Sequence, residues 1–116
     1  MRREVQPTDP ARIEARKVWF ELRNLWTIER PWTLQEEDRW TTTLARVDFD
    51  KKTLTVSSGL LNVGFIPDIR HVITHEVSHI VAERYDGDQG HGPAWKRWAR
   101  RFGIPAKAHI ELERPF

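Results

Sequence analysis

Apolar side chains recur along the chain with two different periods, and each change of period marks an element. Ala11, Ala15, Val18, Trp19, Leu22, Leu25 and Trp26 follow the 3.6-residue spacing of one helix face. Asp9 then Pro10 supplies an N-cap and a proline at the first helical position, so this helix is predicted to run to about Thr27, with Pro31 blocking any continuation. Thr33 and Glu36 have capping-box spacing, which predicts one short helical turn in WTLQEED. The period then shortens to two. Ala45, Val47 and Phe49 alternate, Asp50, Lys51 and Lys52 supply a turn, and Leu54 and Val56 alternate again among threonines, the pattern of a β-hairpin. Helical spacing returns from Pro67 to about Tyr85 and puts Ile66, Ile69, Ile73, Val77 and Ile80 in one arc. After the glycine-rich DGDQGHG, Pro93 opens a last helix that Gly103 closes, with Ala94, Trp95, Trp98, Ala99 and Phe102 as its buried stripe. The expected fold is α+β: a small antiparallel sheet packed on about three helices.

Composition narrows what such a fold can be. At 116 residues the chain has room for one core that hides about two thirds of the unfolded surface, so residues 1–116 are expected to form a single domain. Its hydrophobic share of 39% and charged share of 31% are those of an ordinary soluble protein, and no stretch approaches the roughly 18 apolar residues of a membrane span. The opening MRREVQPTDP has no apolar segment behind its charges and does not read as a secretory signal; a monomer in the cytoplasm is expected, with no membrane partner. With no cysteine there is no disulfide, thiolate nucleophile or cysteine zinc ribbon, so any metal must be held by His, Asp or Glu. The net charge of +2 makes no general case for nucleic acid. The local charge has to be explained separately: Lys96, Arg97, Arg100, Arg101 and Lys107 lie between Pro93 and Lys107 without an acidic residue, and the first four face away from the apolar stripe.

The chemistry concentrates in HEVSHIVAERYDGDQGHGPAW, from His75 to Trp95. Side chains four apart on a helix stand about 5–6 Å from one another, so imidazoles at His75 and His79 can both reach one zinc ion at about 2.0–2.1 Å. Glu76 lies beside this pair, where a base can take a proton from metal-bound water. His71 extends the column by one turn, but it stands about 12 Å along the axis from His79, too far for both to share an ion. Pairing His71 with His75 would put Val72 where the base belongs, so the chosen pair is His75 and His79. A catalytic zinc site needs a third protein ligand. His91 is favoured because it immediately precedes a helix start, while Asp86 and Asp88 remain open; Glu83, a turn beyond His79 on the same helix, is poorly placed. The string DGDQG resembles the start of a calcium loop, but its twelfth position is Arg97 rather than glutamate.

The segments HEVSHIVA from His75 and HGPAWKRW from His91, with TLTVSSGLL upstream, resemble the SprT-like metallopeptidase family, whose signature is an H-E-x-x-H helix followed by an H-G-P motif. The resemblance implies His75, His79 and His91 as ligands of one zinc ion and Glu76 as the catalytic glutamate. It also implies a zincin-like fold with the motif on a central helix and a sheet edge able to hold an extended peptide, hence a protein or peptide substrate. The family includes DNA-dependent proteases of the Spartan type, so DNA-associated proteins enter as a substrate class. This chain lacks the cysteine zinc ribbon found in many relatives, and phosphate contacts from Lys96, Arg97, Arg100 and Arg101 could replace part of its role. The competing reading is a non-catalytic nucleic-acid- or protein-binding module with a structural zinc. Tyr85 falls on the far side of its helix from His75 and His79 and is read as a packing residue.

Overall fold

The computed structural model describes residues 2–26, 28, 31–108 and 110. The order of elements is β1 (Arg2–Glu4), α1 (Pro10–Leu25), β2 (Thr33–Glu37), β3 (Ala45–Asp48), β4 (Thr53–Ser57), α2 (Ser58–Val63), α3 (Ile66–Asp86) and α4 (Pro93–Arg101).

Helix α1 starts as its sequence dictates: Asp9 is extended and its carboxylate accepts from the Arg12 amide at 2.9 Å. Ala11, Ala15, Val18 and Trp19 are buried, with Leu22 and Trp26 partly so. Leu25 leaves the predicted stripe and stands 70% exposed, because the helix ends there and Trp26 turns out of helical geometry as its cap. The predicted end at Thr27 lies outside the described residues.

The sheet departs from the expected one in two ways. Residues Thr33–Glu37 form a strand instead of a helical turn, with Leu34 and Glu36 facing inward. The capping-box reading fails because the Thr33 amide bonds to the Lys52 carbonyl at 3.1 Å, and the Glu36 carboxylate turns to Arg12 and Ser58 instead of back to Thr33. The sheet is also mixed, not antiparallel, in the order β1-β2-β4-β3. The predicted hairpin is present as the antiparallel pair β3–β4. However, residues 38–44 carry the chain past the β4 position to the far edge, and β4 returns between β3 and β2, which makes β2 and β4 parallel. Short β1 adds antiparallel to β2. This leaves β3 as an edge strand.

Ser57 ends β4 and caps α2 with its hydroxyl, which accepts from Gly59 N at 3.1 Å. Helix α2 buries Leu60 and Leu61 and was not foreseen; at six residues it is too short for periodicity to declare it.

Helix α3 packs against α1, α4, β3 and β4. Ile69, Val72, Ile73 and Val77 are fully buried, and each contributes on the order of 1.5–3 kcal/mol through removal from water. A helix held on so many sides gives the side chains at the border of its apolar face little freedom. It ends at Gly87, whose φ of 68° is open to glycine at little cost, with amides of Gly87 and Asp88 closing on the Glu83 and Ala82 carbonyls. Helix α4 buries Ala94, Trp95 and Ala99, as its stripe predicts.

Candidate metal centre

Three imidazoles converge where the loop between α3 and α4 folds back on α3. His75 and His79 point from successive turns of α3, and the loop brings His91 over them. The His75 and His91 Nε2 atoms lie 3.2 Å apart, and those of His79 and His91 3.0 Å apart. Tetrahedral zinc with bonds of about 2.0–2.1 Å requires nitrogens about 3.3 Å apart, so this spacing suits one ion. Among the described residues this is the one group of three or more His, Asp and Glu that could hold a metal.

The electrostatics suit a cation as well. Burial is the main cause that lowers the His75 pKa to about 3, with the neighbouring His79, His91 and His71 adding to it. Burial also dominates at His79, lowering it to about 4. Both rings are therefore neutral at physiological pH, with lone pairs available to a metal. Trp95 forms the floor. Its ring stacks on His79 with centroids 5.4 Å apart, lies 4.8 Å from His75 and 4.6 Å from His91, and its indole N–H points to the His75 carbonyl at 3.4 Å. Behind the rings, the buried Nδ1 atoms of His75 and His79 have no hydrogen-bond partner among the described residues.

Glu76 follows His75 and is 8% exposed. Desolvation alone acts on its carboxyl and raises the pKa to about 7.

The two aspartates kept open as third ligands are otherwise engaged. Asp86 accepts the Trp98 indole N–H at 2.8 Å and sits 4.0 Å from Arg97. Asp88 accepts backbone amides of Gly90 at 2.9 Å and Trp95 at 3.2 Å. His71 lines a groove of about 480 Å³ between the first turns of α3 and residues 102–107, with Thr74, Phe102, Ile104 and Lys107. None of the three converging histidines lines that groove; the convergence of ligand atoms, not cavity size, identifies the centre. Tyr85 tilts against Trp98 and donates to the Trp26 carbonyl at 3.3 Å, a packing role.

The basic residues of α4 divide. Lys96, Arg97, Arg100 and Arg101 are all exposed, but the Arg101 guanidinium also lies 4.8 Å from the Trp26 ring and 5.4 Å from that of Trp98. The i,i+3 spacing of Trp98 and Arg101 permits one of these contacts, but nothing local announces the other, since Trp26 is far away in sequence.

Two histidines of a helix and one of the loop after it, beside a small mixed sheet, define the class as a zincin-like α+β protein with a candidate metal site. Residues 14–114 match the SprT-like family, and the chain belongs to that family, which is in general one of zinc metallopeptidase-like domains. Comparison with curated proteins and with solved structures finds no match. Among the described residues no helix is long and apolar enough to cross a membrane.

Proposed function

We propose that the protein is a zinc-dependent endopeptidase, formed by residues 1–116 as one peptidase domain, in which His75, His79 and His91 hold a single zinc ion and Glu76 is the catalytic base. The observation that carries this reading is the convergence of the three Nε2 atoms next to a buried glutamate that no described cation neutralises. When bound, zinc supplies Lewis-acid polarisation of a carbonyl and makes water acidic enough to ionise near neutral pH. With a cation held by the three histidines, Glu76 would favour its carboxylate, the form that accepts a proton, over the neutral acid that desolvation favours. Glu76 Oε takes the proton of the attacking water and delivers it to the amide nitrogen as the peptide bond breaks. Edge strand β3, packed against α3, offers unpaired backbone groups on which an extended peptide can align.

The exposed cations Lys96, Arg97 and Arg100 extend the reading to DNA-associated proteins as substrates, because they form a phosphate-attracting face close in sequence to His91. A structural zinc in a binding module has no use for a desolvated glutamate beside its ligands, and this favours the enzymatic reading. The test is hydrolysis of a denatured protein by the zinc-loaded chain. A chelator and Glu76→Gln should each abolish cleavage, and only the chelator should remove zinc. A Glu76→Gln protein as active as the parent would sink the proposal.

A further inference from the structure

Zinc-binding imidazoles are commonly oriented by a carboxylate or carbonyl behind the ring. Here the buried Nδ1 atoms of His75 and His79 have no such partner among the described residues, so other features must fix these two rings. For His75 and His79 the rigid helix and the Trp95 floor suffice. His91 differs: it is exposed and rides on a loop, where positional freedom is the default.

Asp88 fastens that loop through its side chain. One oxygen of Asp88 accepts the Gly90 amide at 2.9 Å, and the other accepts the Trp95 amide at 3.2 Å. Trp95 is the third residue of α4, and its amide is one of those an N-cap side chain ordinarily satisfies. The residue at the N-cap is Gly92, which makes no side-chain cap bond. Asp88 thus caps α4 from four residues upstream of Gly92 and draws the loop into a closed turn with His91 inside it. Gly92 has an ordinary extended conformation, so its glycine is not needed for φ. It is needed for space: a Cβ there would lie 2.9 Å from the Asp88 carboxylate oxygen that holds Trp95. The contact would have to be relieved by a shift of that carboxylate or of the loop backbone, and either disturbs its bond to the Trp95 amide.

We infer that Asp88 is the positioning residue of the metal centre, its carboxylate fixing the loop so that His91 is presented to the ion, with Gly92 leaving room for it. This rests on the proposed ligand set and adds that third-ligand affinity is controlled from outside that set.

The experiment is zinc affinity by chelator competition, with the cobalt(II) absorption spectrum as a second readout. Asp88→Ala should weaken zinc binding about 10–100-fold, the range for residues that orient ligands, and should alter the cobalt bands. Asp88→Asn keeps one acceptor oxygen for the two amides and should fall between the two. Gly92→Ala leaves every polar group in place and should weaken binding in the same direction, which guards against misfolding of the Asp88 variants. Because Asp88 acts through His91, adding Asp88→Ala to His91→Ala should cause no further loss. Additive losses, or wild-type affinity in Asp88→Ala and Gly92→Ala, would overturn the inference while the ligand set stands. Unchanged affinity in His91→Ala would overturn both.

Discussion

Glu36 and Glu76 are both nearly removed from water, at 1% and 8% exposure, yet they titrate in opposite directions. Burial works to raise the pKa of each. At Glu36 it is overcome: Arg12 donates Nε and Nη2 to its two oxygens at 2.8 Å each, the Ser58 hydroxyl donates at 2.7 Å, and Arg3 stands at 3.3 Å, so the carboxyl lies below its ordinary value. Arg12 also reaches Asp9 at 2.7 Å and Asn62 at 3.0 Å, which ties the start of α1 to β2 and α2. At Glu76 no described residue offsets desolvation, and the pKa is raised to about 7. A buried carboxylate with partners is a structural element; one without them is available to move protons. That contrast can be broken by experiment, beginning with the largest expected effect.

Glu76→Gln should lower turnover of a denatured protein by about 10²–10⁴-fold, or about 3–5.5 kcal/mol of barrier, the range for removing a general base. Zinc content should be unchanged and the thermal midpoint equal or higher, since an uncompensated buried acid is lost. Glu36→Gln should do the reverse, lowering the midpoint while folded molecules keep their turnover. If both variants lost turnover with midpoints unchanged, the division of roles would be wrong.

Arg12→Ala leaves Glu36 buried without its main partner and should cost about 3–5 kcal/mol in urea unfolding. Replacing both groups together, as Arg12→Met with Glu36→Leu, should restore much of this, because the penalty belongs to the orphaned charge. A double variant no more stable than Arg12→Ala would show that the network stabilises by more than pairing.

The same two glutamates show what a sequence can disclose. His75, Glu76 and His79 lie within five residues of one helix, and local periodicity is enough to put the two histidines on successive turns of α3, with Glu76 buried next to the first in sequence. The place of His91 follows from the proline that opens α4. The Glu36 site was invisible, because its partners Arg12 and Ser58 are 24 and 22 residues away. Read locally, Thr33 and Glu36 suggested a helical cap; only pairing with β4 makes the segment a strand. Likewise β1 has three exposed residues without alternation and exists because β2 offers it an edge. Elements defined by their own side chains were legible, and elements defined by a distant partner were not. Asp88 falls between: its acidic character marked it as a possible ligand, but its use for two backbone amides depends on how the loop closes.

A smaller effect concerns acid stability. The Glu36 pKa is lower in the folded protein than its ordinary 4.5. Its ionised form therefore contributes stability that is fully present above about pH 4.5 and is lost as pH falls through the lowered folded value. Thermal melts of wild type and Glu36→Gln should differ most near neutrality and converge below pH 4.5. A gap that stayed constant down to the acid limb would mean that the variant acts through lost packing instead of lost charge.

The rule that partners decide the role of a charged group also divides the cations of α4, where the effects are smallest. Arg101 has aromatic faces at 4.8 and 5.4 Å, whereas among the described residues no ring is paired with Arg100. Stacking of an exposed cation on a ring is worth about 0.5–1 kcal/mol, so Arg101→Ala should lower stability by that amount. Arg100→Ala should stay within about 0.5 kcal/mol of wild type. If the helix meets DNA, each phosphate contact removed should reduce the slope of log affinity against log salt by about 1, and Arg100→Ala should show this reduction while Arg101→Ala shows less of it. The guanidinium of Arg101 is already held over Trp26 and Trp98, and turning it toward a phosphate means giving up that stacking. Equal losses of salt slope in the two variants, without a stability loss in Arg101→Ala, would mean that the rings do not hold Arg101 and that all four basic residues of α4 act as one face.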